Sequence, residues 1–345
     1  MEKQRIAWID ILKYFGIFLI YIGHFAEAAG RTFNFVGAFH VPLFFFISGC
    51  METLNSETSI WKNVKKKFVT LMIPFYFFSL VSLALFAIQY NLSLGDIKPH
   101  ISFLLKGIVR NTFIAAGQLW FLSCLFVTHI FFLFIKRIKN IFIMICICLT
   151  LFIISVKIPL FRPPKWYYNV DSSLHYIIYF CLGYVIFPTI NNLLMQKNRL
   201  NKIIAYSTGL ISFIYTAFYF FNKDIFNIFV SVPYLSIVIP IIKALIIIMF
   251  FIVLSFICRN ISILADIGKN TLYLCGNEMI VKTIVSSIIS MFGFQVSLGT
   301  PLITFIYTAL LLYLANTFMV PGERKVITVI NNIFKKLYKN NDNVV

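Results

Sequence analysis

IDILKYFGIFLIYIGHFAEAA, Ile9 to Ala29, is the stretch whose reading decides the fold of this chain. It is apolar and, at about 1.5 Å of rise per residue, long enough to cross a bilayer as one helix. It nevertheless carries Asp10, Lys13, His24 and Glu27. At about 100° per residue, Lys13 and His24 fall within about 20° of each other, three turns and about 16 Å apart along the axis. Asp10 and Glu27 share that sector, so a single helix here has one polar stripe on an otherwise apolar rod. Ionisable groups are costly in lipid, and the stripe is expected to face the protein interior or a hydrated cavity. The plainer alternative is an Asp10–Lys13 pair at the interface plus one hydrogen-bonded core histidine.

Working outward, the rest of the chain has the same character. Of 345 residues, 60% are hydrophobic and 12% charged, and the mean hydropathy is +0.89, which excludes a soluble domain and indicates an all-α, polytopic membrane protein. The first helix lacks a cleavage pattern and is expected to remain as the first span. About ten spans in one bundle are expected, near residues 9–29, 33–51, 68–89, 118–135, 141–160, 174–195, 203–221, 234–258, 271–292 and 301–320. A half-buried or interfacial helix is also expected over Ile101 to Ala116. With the N-terminus inside, most of the 30 Lys and Arg fall on the cytoplasmic side, which predicts an even number of spans with both termini cytoplasmic. That asymmetry accounts for the net charge of +18 without nucleic acid. Residues 1–345 read as a single domain, with spans over about 9–320 and a cytoplasmic, amphipathic tail over 321–345. The seven cysteines show no CxxC or zinc spacing and read as small buried hydrophobes, with no metal expected. The absence of a Walker loop or Rossmann glycine pattern argues against a nucleotide hydrolase.

Several positions carry candidate chemistry. In FNFVGAFHVPLFFFISGCM, His40 should lie at the depth of His24, about 10 Å below the outer surface, with Pro42 freeing a backbone carbonyl and Ser48 deeper in. WKNVKKKFVTLMIP places Lys65, Lys66 and Lys67 at the cytoplasmic mouth of this helical pair; a positive-inside signal explains them, and so does docking of a phosphate-bearing cofactor. Trp120 of QLWFLSCLF, and Arg162 with the aromatic rings of FRPPKWYYNVDSSLH, suit a sugar but also suit a membrane surface. In IGKNTLYLCGNEMIVK, Glu278 and Lys282 are four apart and can pair with each other.

These motifs, in this order, resemble membrane acyltransferase family 3, integral-membrane O-acyltransferases that modify surface glycans. The resemblance covers essentially the whole chain and is strongest over WIDILKYFGIFLIYIGH and FHVPLFFFISG, with support from KKKFVTLMIP, LWFLSCLF, YFCLGY and IGKNTLYL. The branch it looks most like acetylates capsular or exopolysaccharide sugars, including the fucose 4-O-acetylase type. Two departures stand out. The family commonly has arginine eleven residues before the first histidine, where this chain has Lys13 and loses the bidentate fork. Many members have a histidine after the IGKNTLYL-like motif, where this chain reads Gly276, Asn277, Glu278.

What the resemblance implies is transfer of an acetyl group from cytoplasmic acetyl-CoA to a hydroxyl of a polysaccharide or lipid-linked saccharide, in a multi-pass protein of a bacterial plasma membrane. On that expectation His24 is the general base, with Glu27 or Asp10 biasing its charge or tautomer and Lys13 drawing in the donor. His40, Ser48, Trp120 and Arg162 line the acceptor side, and Lys65, Lys66 and Lys67 hold the donor. An acyl-histidine intermediate is the mechanistic alternative. The competing functions are a transporter or flippase for a lipid-linked saccharide, since polar residues in spans also mark substrate paths, and a noncatalytic assembly partner.

Overall fold

The structure is a computed structural model that describes residues 5–107, 117–161, 166–196, 198–229, 232 and 235–341. Among the described residues every regular element is helical. The principal helices are α1 (Ala7–Gly23), α2 (Arg31–Gly37), α3 (His40–Thr53), α4 (Ile60–Lys67), α5 (Ile73–Gln89), α6 (Leu94–Leu105), α7 (Trp120–Ile135) and α8 (Ile141–Lys157). They continue with α9 (Val170–Met195), α10 (Arg199–Phe220), α11 (Leu235–Ile257), α12 (Ser262–Lys269), α13 (Thr271–Met291), α14 (Pro301–Leu314) and α15 (Val320–Asn341). Joined across short kinks, eight stretches among the described residues are long and apolar enough to cross a membrane: Arg31–Thr53, Ile60–Gln89, Gly117–Ile135, Tyr167–Met195, Arg199–Phe220, Leu235–Ile257, Thr271–Met291 and Pro301–Phe334. The 17-residue helices α1 and α8 occupy the two other positions at which the sequence predicts spans. The protein is thus an all-α, polytopic membrane protein.

α1 is the central rod. It contacts α2, α3, α11, α12, α13 and α14, and most of its residues are buried, which is why it is apolar around nearly its whole circumference. Close approach elsewhere depends on small residues. Gly49 of α3 lies on the Phe180 carbonyl of α9, and Gly183 of α9 lies on the Phe46 carbonyl of α3, so the two backbones touch at both points. Gly268 of α12 rests in the same way on the Asp10 carbonyl of α1.

Four expectations need correction. First, Ile9 to Ala29 is not one helix: α1 stops at Gly23, Ala26 has a φ of 51°, and a 3-10 turn covers Ala26–Ala29 before Gly30, φ 52°. This break takes Glu27 off the stripe and leaves it exposed. Second, the span 33–51 is two helices, α2 and α3, broken at Ala38 and Phe39; the Pro42 ring excludes the carbonyl four residues back, that of Ala38. Third, two spans extend past their expected limits. The helix predicted from Phe68 runs on from α4 through a π turn at Phe68–Met72, and α14 runs into α15 through a π turn at Ala315–Met319. Each π turn lies just before a proline, Pro74 or Pro321, whose missing N–H it absorbs. Fourth, α6 begins at Leu94, fixed by a Ser93–Asp96 capping box, and ends at Leu105 rather than spanning 101–116; residues 108–116 lie outside the described residues.

Candidate active site

The bundle has two ends that matter for chemistry. At the near end α1 begins, α3 finishes and α5 begins; at the far end α1 finishes at Gly23 and α3 begins at His40. His24 caps the far end of α1, its side chain 30% exposed. Its Nδ1 lies 2.7 Å from Oε2 of Glu278 on α13. The carboxylate accepts, so Nδ1 carries a proton, and in the neutral ring the lone pair is on Nε2. Glu278 is fully buried, and its other oxygen accepts a 2.5 Å hydrogen bond from Lys282 Nζ, one turn along α13. That ammonium also donates to the Tyr21 carbonyl at 3.1 Å and sits 4.1 Å from the Phe25 ring centroid. A carboxylate buried this deeply requires a compensating cation, and Lys282 supplies one. The Tyr21 hydroxyl donates to the Leu274 carbonyl at 2.9 Å, which ties α1 to α13 one turn below the trio.

His40 completes this level. Its Nδ1 donates to the Val36 carbonyl at 2.7 Å across the α2–α3 break, and its Nε2 lies against Gly23, only 3.2 Å from where a Cβ would stand. Gly23 therefore lets the second imidazole pack directly beside the backbone that carries His24.

A cavity of about 180 Å³ rises from the near end between α1, α3, the π turn that joins α4 to α5, α7 and α13. Ile20, Phe44 and Cys275 line its far limit. Each lies three or four residues from His24, His40 or Glu278 on the same helix, so the cavity stops about one turn, some 5 Å, short of the imidazole level. Lys13, Ser48, Lys67, Thr70, His129 and Thr271 supply its polar lining. A second cavity of about 210 Å³, lined by Arg5 and Asp10, shares Lys13 and Met51 with the first.

Lys67 belongs to a buried cluster. Glu52, at the end of α3, accepts from Lys136 Nζ at 2.6 Å and from the Asn55 amide at 3.1 Å, both on Oε1. Its Oε2 lies 3.8 Å from Lys67 Nζ and 3.7 Å from His129 Nδ1, and Lys67 Nζ lies 3.2 Å from His129 Nε2.

The sequence-derived candidates are thus dispersed over the two levels. Asp10 pairs with Arg5 at 2.7 Å and with Lys13 at 3.3 Å, far down α1 from His24. Glu27 is exposed beyond the helix end. The carboxylate beside His24 is Glu278, a residue the sequence reading paired only with Lys282. Ser48 faces the cavity, whereas Trp120 is buried against Tyr176, ring centroids 5.8 Å apart, and does not line it. Lys67 reaches the cavity, while Lys65 and Lys66 are exposed on α4. Arg162 lies outside the described residues. Glu52 and His129 escaped the sequence reading; the signal available for each was a lone ionisable group at the edge of, or inside, an apolar run.

No curated protein and no solved structure matches the chain. The model of one family, described as an acyltransferase domain, matches residues 6–320. That match spans both the His24–Glu278 level and the cavity beneath it, and on it the chain belongs to membrane acyltransferase family 3.

Proposed function

We propose that this membrane acyltransferase moves an acetyl group from cytoplasmic acetyl-CoA to a hydroxyl of a surface or capsular polysaccharide sugar, as polymer or lipid-linked unit, in a cell membrane with both chain termini on the cytoplasmic side. The observation that carries this reading is His24 Nδ1 held at 2.7 Å by a buried carboxylate, one turn above a cavity with Lys13 and Lys67 at its walls. A carboxylate on one imidazole nitrogen fixes the tautomer that makes the other nitrogen a base.

In this mechanism the near end faces the cytoplasm. The phosphate-bearing part of the donor lies by the lysines and the pantetheine arm rises through the cavity. The sugar hydroxyl approaches from the far end and gives its proton to His24 Nε2. Its oxygen forms a bond to the thioester carbonyl carbon, the carbon–sulfur bond breaks, and the imidazolium returns the proton to the departing thiolate. The ester leaves with the sugar and CoA leaves to the near side. His40 and Ser48 supply polar lining at the two levels, and Trp120 and Arg162 are proposed for the acceptor side.

The test removes the protein from its host, measures O-acetyl esters on the surface polysaccharide, and restores either wild type or His24→Ala. Esters should vanish on deletion, return with wild type and stay absent with the variant. Unchanged ester content on deletion overturns the reading, loss of the whole polymer supports a flippase instead, and full rescue by His24→Ala removes His24 as the base.

A further inference from the structure

The Glu52 cluster contains an imbalance that the chemistry at His24 does not use. Two ammonium groups, Lys67 and Lys136, share one carboxylate that is 2% exposed. Lys136 takes the short contact at 2.6 Å, while Lys67 stands at 3.8 Å, beyond hydrogen-bonding distance. Lys67 is therefore only partly neutralised, and it is the member of the pair that borders the cavity. What holds it there is His129. Lys67 Nζ lies 3.2 Å from His129 Nε2, and an ammonium can only donate, so Nε2 accepts and the proton of the neutral ring sits on Nδ1. Nδ1 faces Oε2 of Glu52 at 3.7 Å, the carboxylate oxygen with no hydrogen-bond partner among the described residues. The Phe180 ring, edge-on at a centroid distance of 4.7 Å, fixes the imidazole plane. His129 is itself 4% exposed, on α7, opposite the α4–α5 junction that carries Lys67.

We propose that His129 is a positioning residue: buried against Phe180, it directs the Lys67 ammonium into the cavity to receive a phosphate of the acyl-CoA donor. This rests on the reading of the donor as an acyl-CoA thioester. An accepting nitrogen can orient a lysine without cancelling its charge, whereas a second carboxylate there would neutralise it; the histidine leaves one net positive charge beside the cavity for the incoming anion. His129 does not touch the reacting atoms, since His24 lies about one turn beyond the far limit of the cavity.

The experiment uses the full chain in detergent or nanodiscs and compares wild type, His129→Leu, His129→Gln and Lys67→Met. Binding of CoA is titrated directly, and steady-state transfer is measured with acetyl-CoA and with S-acetylpantetheine, which lacks the phosphates. His129→Leu should raise KM for acetyl-CoA about tenfold, the scale of one lost charge-assisted hydrogen bond, with kcat nearly unchanged. KM for S-acetylpantetheine should not move. The amide of His129→Gln keeps an acceptor for Lys67 and should restore most of the affinity. The double variant His129→Leu/Lys67→Met should be no worse than Lys67→Met alone, because both act through one contact. Should His129→Leu fail to survive purification, His129→Asn, polar but too short to reach Lys67, carries the same readouts.

Equal losses with both donors, or a fall in kcat at unchanged KM, overturn the proposal, as does additivity in the double variant. Wild type that binds no CoA removes the acyl-CoA reading itself; wild type that binds CoA alongside a His129→Leu variant that binds it equally well removes only the role of His129.

Discussion

His24 and Glu278 stand 254 positions apart in the chain, yet their side chains meet at 2.7 Å. The contact joins the end of the first helix to the middle of α13 and decides which carboxylate serves the imidazole. Glu278→Gln keeps the size and an acceptor oxygen but no longer fixes the tautomer with a charge. Transfer should fall by about 10²–10⁴, the range that a positioned general base contributes, with its upper end the loss seen when the carboxylate behind a catalytic histidine is replaced by its amide. Glu27→Ala, at an exposed residue past the helix end, should stay within about twofold of wild type. Rates of ester formation in membranes carrying matched amounts of each variant decide the matter. A severe loss with Glu27→Ala and none with Glu278→Gln returns the role to the residue nearer in sequence.

Lys282 supplies the compensating charge, so its removal should act on stability first. Lys282→Met leaves Glu278 ionised and buried without its cation, which costs about 3–5 kcal/mol when one partner of a buried pair is lost. The double variant Glu278→Gln/Lys282→Met removes both charges and should regain much of the thermal midpoint while remaining inactive. A Lys282→Met protein that melts with wild type would show that the pair contributes nothing to the fold.

The fold was readable because lipid imposes a long apolar run on each span, and those runs stand in the sequence whatever the helices pack against. Helical periodicity relates residues only along one rod. It placed Lys13 and His24 on a common face and Glu278 within reach of Lys282, but it could not report that α13 lies beside the end of α1. The same limit hid the cluster at the near end, where Glu52, Lys67 and the pair His129 and Lys136, on α7 and at its C-cap, come from three separate stretches of chain. The break after Gly23 was hidden for a different reason: no proline marks it, and alanine is not a residue type that announces the positive φ Ala26 adopts. Where a proline did stand, at Pro42, a break near it was foreseeable.

The contact between α3 and α9 gives a prediction about packing alone. Gly49 and Gly183 each meet a carbonyl of the facing helix, and neither backbone can yield as the tip of a flexible side chain would. Gly49→Ala and Gly183→Ala should each destabilise the protein by about 1–3 kcal/mol, the usual cost of overpacking, or prevent its accumulation. Gly37→Ala is the control, since an added Cβ there meets nothing within 4 Å. Thermal melts of the detergent-solubilised variants, or their levels in the membrane, separate the two classes. Equal behaviour of all three would mean that α3 and α9 are further apart than described.

Lys13 lines both cavities and stands where the family commonly has arginine, so its replacements test the donor path. It pairs with Asp10 at 3.3 Å, and Arg5 already occupies the other oxygen of that carboxylate at 2.7 Å. Asp10 therefore stays paired when Lys13 is lost, and Lys13→Met should leave the fold largely intact. Its effect should fall on KM for acetyl-CoA, about three- to tenfold upward, as expected for one cation that a phosphate approaches in a partly hydrated cavity. Lys13→Arg keeps the charge and adds the planar fork, and it should match or tighten wild-type KM. Raised salt should weaken donor binding to wild type more than to Lys13→Met, because the interaction removed is the screened one. A Lys13→Met protein with unchanged KM and a collapsed kcat would instead place this lysine at the chemical step, and the donor path would have to run elsewhere.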